Sequence, residues 1–293
     1  MRDRGTARLA GGFGAVAALV LGGCTTLGED LDALAKSLVP PTPGEAARKM
    51  LDPYDPDNRR EGVVLISNSP FGGSEVYLRA YRDYVEHERD GIVKAVAIRA
   101  LARHGQPEDA PRIAAHLGHE DMLVRWEAAK GLQRLHNPAV VRQLIRCMLE
   151  RIDRDGDDRP DPEQSDVRVA AARALGQYPQ PRVFEGLFEA LSARELAVNT
   201  AAEMSLETLT GQSFGLDLRA WRQWYDSVED PFAGRREYRY PTYSRRETWL
   251  EKIAFWAPDR FEEPGLPAGL GPPSERSTYE DRDPEPAASP PGG

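Results

Sequence analysis

A nine-residue pattern recurs four times in this chain and limits the folds open to it more than any other feature. The segments Val93–Leu101, Val124–Leu132, Val167–Leu175 and Val198–Leu206 each open on valine, followed by Lys94, Arg125, Arg168 or Asn199. Four residues after the valine stands an alanine (Ala97, Ala128, Ala171, Ala202), seven after it a small residue (Ala100, Gly131, Ala174, Ser205), and eight after it a leucine. These offsets share one face of a 3.6-residue helix, so each segment predicts an amphipathic helix with a contact stripe of small residues plus one leucine. Small residues let neighbouring helices approach closely. Twenty residues after each valine comes a second apolar anchor: Ile113, Leu144, Leu187 and Leu218. Breakers separate the two helices of each unit: Gly105 with Pro107, Asn137-Pro138, Pro179 with Pro181, and Gly211. The unit is helix, tight turn, helix, with a period of 31 residues from Val93 to Val124 and again from Val167 to Val198. One such hairpin cannot bury its stripe alone, whereas a stack of them shares a continuous core.

The pattern Val-Arg-x-x-Ala-Ala-x-x-Leu, with a short second helix, resembles the HEAT-repeat family in its short bacterial form, from about Asp90 to Tyr225. The resemblance implies an all-α fold, an α-solenoid of about five helical hairpins. A degenerate first unit is expected before it. Arg59–Ser67 would be its first helix, Ser69–Gly73 its turn and Glu75–Glu86 its second helix, with Val76, Tyr77, Tyr81, Tyr84 and Val85 as apolar stripe. In the last unit Phe214 occupies the place of Val140 and Val183, and Trp221 and Trp224 are read as sealing the open end of the stack.

The amino terminus reads as an address. Arg2, Arg4 and Arg8 precede an apolar run from Leu9 to Leu21, too short for a stable bilayer span of ~20 residues. The run ends in Leu21-Gly22-Gly23-Cys24, which resembles the bacterial lipobox and implies lipidation of Cys24. Residues 1–23 are thus expected as a lipoprotein signal peptide, and residues 24–56 as a tether with a short helix at Leu27–Leu38. The protein is expected to be exported and lipid-anchored in the bacterial cell envelope. The outer membrane is favoured where there are two, because Thr25 follows the cysteine. A formal charge of −9 argues against nucleic-acid partners. The solenoid is expected over 57–228, a basic and aromatic strap with a short amphipathic helix over 229–257, and a disordered tail rich in proline and glycine over 258–293.

Chemistry has few places to reside. The spacing from Val124 to Val167 is 43 residues, so 12 residues, 151–162, are inserted. Asp153, Asp155 and Asp157 alternate as the first, third and fifth residues of a calcium loop do, and Asp161 falls at the ninth. Asp158 stands where such a loop turns on glycine, and Gln164 where it carries a bidentate glutamate. A plain solvated loop and a Ca²⁺ site are both compatible with this segment. His116 and His119 form the one close histidine pair, without the third ligand that zinc requires. Cys147, beside Leu144 and Met148, reads as a buried structural thiol. In the strap, arginines interleave with Tyr238, Tyr240 and Tyr243, and Trp249, Leu250, Ile253 and Trp256 share a helical face.

No nucleophile motif, phosphate loop or cofactor fingerprint stands out. The expected function is a membrane-anchored, non-enzymatic scaffold that binds another protein or envelope component through its repeat surface, with no catalytic residue. The alternatives are a HEAT-like lyase acting on a small molecule, as some members do on bilin chromophores, and a calcium-dependent structural module.

Overall fold

The computed structural model describes residues 42–149, 162–242 and 264–270, and from Pro43 onward they belong to one contact unit. The ordered elements are helical: α1 (Pro43–Met50), α2 (Pro56–Ser67), α3 (Glu75–His87), α4 (Gly91–His104), α5 (Ala110–Ala114), α6 (Met122–Gly131), α7 (Val141–Leu149), α8 (Pro162–Leu175), α9 (Pro181–Ala190), α10 (Leu196–Thr210) and α11 (Leu218–Ser227). Short 3₁₀ turns at Pro107–Asp109 and Pro138–Val140 lead into α5 and α7. Among the described residues the one β-type pairing is an isolated parallel bridge between Leu135 and Ala268.

The helices form two rows. The first helices α2, α4, α6, α8 and α10 each pack on the next, and the second helices α3, α7 and α9 pack on α4, α8 and α10. This is the all-α solenoid that the repeat implies. Its core is the periodic stripe itself: Val93, Val124, Val167 and Val198, the alanines four residues on, and Leu101, Leu132, Leu175 and Leu206 are all buried.

The polar residue after three of the four valines also has a physical reason. Arg125 donates through one nitrogen to the carbonyls of His119 and Glu120, both at 2.8 Å. Arg168 donates to the Met148 carbonyl at 2.7 Å and to the Glu195 carboxylate at 2.9 Å. Asn199 reaches the Leu191 carbonyl at 3.0 Å. Each ties a first helix to the turn before it, satisfying carbonyls that the end of the preceding helix leaves open. Three residues before the valine lies the N-cap: Asp90 accepts from the amides of Ile92 and Val93, and Asp121 from that of Leu123. Such caps contribute about 1 kcal/mol each.

Several sequence expectations change. The segment expected as tether down to residue 56 supplies α1, with Ala46 and Met50 buried against α2. Gly62 permits that contact, because a Cβ there would lie 2.1 Å from the Met50 nitrogen. In the first unit Tyr81 and Val85 are buried, but Val76, in the first turn of α3, is 61% exposed. Leu218 is likewise exposed, and Trp221 carries the burial of α11. The Trp221 indole donates to the Gly215 carbonyl at 2.8 Å while Phe214 meets its ring edge-on at 5.0 Å. Tyr225 stacks on Phe184 of α9 at 3.9 Å, so aromatic rings close this end of the stack. Finally, the tail expected to be disordered from 258 contains a packed stretch, Pro264–Leu270, in which Pro267 is buried and Ala268 is hydrogen-bonded to the solenoid.

Candidate functional site

The turns that end α6, α8 and α10 lie along one edge of the first-helix row, and the chain returns to cover that edge. Arg236 donates its backbone amide to the Thr208 carbonyl at 2.7 Å. Ala268 donates to the Arg134 carbonyl at 2.8 Å and accepts from the His136 amide at 2.8 Å. Tyr240 donates to Gly265 at 3.0 Å, joining the two returning segments, and the Arg134 guanidinium lies over the Tyr240 ring at 4.6 Å. Between them is a hollow of about 530 Å³. That size falls within the ~300–1,000 Å³ usual for small-molecule sites. Gly176, Gln177 and Pro179 line it from the α8 turn, Thr208 and Leu209 from α10, and Arg235, Arg236 and Tyr238 from the returning chain.

His136 is the one histidine on this wall. Its tautomer follows from Gln177, whose side-chain nitrogen donates to the carbonyls of Leu132 at 2.9 Å and Ala174 at 3.0 Å. Those bonds fix the amide so that its oxygen faces His136 Nδ1 at 3.3 Å. Nδ1 must therefore carry the proton, and in the neutral ring Nε2 holds the lone pair. Burial pushes the imidazole below its ordinary range, against a smaller opposing pull from the Gln177 bond, so the neutral form prevails near pH 7. The ring stacks on Tyr178 at 4.8 Å, which holds its plane. In this tautomer Nε2 is the ring's proton-accepting nitrogen. Arg236 adds a guanidinium 3.8 Å from Glu207.

Of the residues that the sequence singled out, Cys24 and the candidate calcium ligands Asp153, Asp155, Asp157 and Asp161 lie outside the described residues, as do Trp249, Leu250, Ile253 and Trp256. The His116 and His119 rings are 6.0 Å apart, between α5 and α6, and among the described residues no three metal-type side chains gather. Cys147 is buried on α7. His136 and Gln177 escaped notice because neither belongs to a chemical motif. The available signal was positional: each follows a stripe leucine within a few residues, where the first helix ends and polar side chains meet open carbonyls.

The model for HEAT repeats matches residues 80–156, and the model for the PBS lyase HEAT-like repeat matches residues 167–192. The chain carries HEAT-type repeats. No curated protein matches it. A solved structure, the complex of CpcE and CpcF of phycocyanin lyase from Nostoc sp. PCC7120, matches at 20% identity over 57% of this chain and 77% of that chain, with a TM-score of 0.39. The lyase-repeat match overturns the expectation of a non-enzymatic scaffold without catalytic residues and accords better with the lyase-type alternative. The contact of His136 with Gln177, made between different repeats, has no local sequence signature. Among the described residues no helix is long and apolar enough to cross a membrane.

Proposed function

We propose that the chain is a lyase-type enzyme acting on a small molecule held in the hollow between the α6, α8 and α10 turns and the returning carboxyl-terminal segments. One observation carries this: the PBS lyase HEAT-like repeat match covers residues 167–192, and three residues of that stretch, Gly176, Gln177 and Pro179, line the hollow. In an elimination a base removes a proton from carbon, the C–H electron pair becomes the new double bond, and the leaving group departs with its own pair. His136 supplies the base through Nε2. Arg235 and Arg236 orient an anionic group on the substrate, as guanidinium groups do for carboxylates. Family resemblance suggests a bilin, an open-chain tetrapyrrole with carboxylate side chains.

The test is visible absorption of a bilin titrated with the purified chain. Binding in the hollow shifts the spectrum, and Arg236→Glu weakens the interaction about tenfold, or about 1.4 kcal/mol. His136→Ala leaves binding largely intact but abolishes turnover. A spectrum that the protein leaves unaltered, together with no effect of either substitution, overturns the proposal.

Export and acyl anchoring at Cys24 belong to the same proposal. Their support is the order of Arg2, Arg4 and Arg8, the apolar run Leu9–Leu21, and Leu21-Gly22-Gly23-Cys24.

A further inference from the structure

The returning chain meets the repeats at equivalent positions. Arg134, Gln177 and Thr208 each stand ten residues after the opening valine of their repeat. The carbonyl of Thr208 accepts from the Arg236 amide and that of Arg134 from the Ala268 amide. The Gln177 residue between them lies in the wall of the hollow. The solenoid therefore offers equivalent backbone carbonyls two repeats apart, and each of the two returning segments reads one of them.

At Arg134–His136 the contact has the features of peptide recognition. A single residue, Ala268, exchanges both its amide and its carbonyl with the edge, as an added β-strand does. Pro267 before it is buried. Gly269 after it has φ +86°, and a Cβ there would lie 2.7 Å from Pro107 Cγ and 3.0 Å from the His136 carbonyl oxygen, so the position excludes every residue but glycine. Leu266 and Leu270 flank this core on either side and both line the hollow. Gly269 is thus required by the surface, Pro267 is buried in it, and Ala268 is held through its backbone.

We propose that the Arg134–His136 edge is a peptide-docking site, that Pro264–Leu270 is its ligand bound in cis, and that departure of this segment opens the hollow. The geometry of the edge carries this independently of any catalytic role for the hollow. The occupant competes from the same chain at an effective concentration of order millimolar, so only its release exposes the site to a second segment of the same chemistry.

The test titrates the full chain and its Gly269→Val variant with a fluorescent peptide spanning residues 263–271, read by anisotropy, with no small molecule present. Gly269→Val expels the cis segment, so the variant binds the peptide about tenfold or more tighter than the unsubstituted chain. A peptide carrying Ala268→Pro, which lacks the amide that Arg134 accepts, does not bind. Equal affinity for both chains, or no binding to either while circular dichroism shows the helices retained, overturns the proposal. If Gly269→Val fails to fold, Ala268→Pro in the full chain serves as the expelled form under the same criterion. Since no bilin is involved, the result is separate from that of the lyase test.

Discussion

Asp109 shows how much one buried carboxylate can do at the junction of two hairpins. It accepts from Arg82 of α3 at 2.8 and 3.1 Å, from the Gln106 amide at 3.0 Å and from Arg112 at 3.0 Å, with only 2% of the residue exposed. Burial alone would push its carboxyl up, but the Arg82 bonds, the Gln106 amide and the charges of Arg82 and Arg112 together hold it below the ordinary carboxylate value. A group lowered in the folded state stabilises fully above its unfolded pKa, and that contribution is lost as pH falls through the folded one. We therefore expect Asp109→Asn to cost about 3 kcal/mol at pH 7, since it leaves two guanidinium groups facing a neutral amide. Urea denaturation should show the gap between the two proteins closing as pH falls below the ordinary aspartate range. A gap that stays constant with pH would show that the charge plays no part. At this scale the sequence was partly legible. The polar residue after each repeat valine was visible as a pattern, but the tie that Arg125, Arg168 and Asn199 make to what precedes their helices was not, because carbonyls at helix ends have no side-chain signature.

The helix pairs themselves were readable to within a few residues, since an apolar stripe bounded by Gly, Pro and Asn breakers specifies both the helix and where it ends. α1 was not. Eight residues beginning Pro-Gly-Glu carry too few apolar positions to announce a packed helix, and what fixes it is the bare backbone at Gly62 on α2. The prediction belongs to that element pair. Gly62→Ala places a Cβ into the Met50 backbone, so α1 is expected to lift from α2 while the rest of the stack holds. Hydrogen exchange would then show Ala46–Met50 amides losing protection, with the α6 and α8 amides unchanged. Uniform loss across all helices would mean that α1 is integral to the fold rather than a cap upon it. Leu218 and Trp221 illustrate the same limit at the other end: the repeat offset favoured Leu218 as anchor, but a terminal unit has no following repeat to bury it, and the larger ring took the core position.

For the whole molecule, anchoring is the property to test first. If the acyl chains attach at Cys24, Cys24→Ser moves the protein from the membrane fraction to the soluble fraction after cell lysis, while its helical content by circular dichroism is unchanged. Retention at the membrane would rule out the cysteine as the anchor. The amino-acid sequence by itself determined the repeat, its period, the all-helical class and the stripe that fills the core, because these follow from local periodicity and from hydrophobic burial between neighbours of like pattern. Tertiary structure alone decided which turns share an edge, that Pro264–Leu270 returns to Arg134–His136, and that His136 meets Gln177 from another repeat. The physical reason is one of range. A helix is specified by contacts three and four residues apart, whereas this site is assembled from backbone acceptors and side chains dozens of residues apart, whose meeting depends on the stacking of whole hairpins.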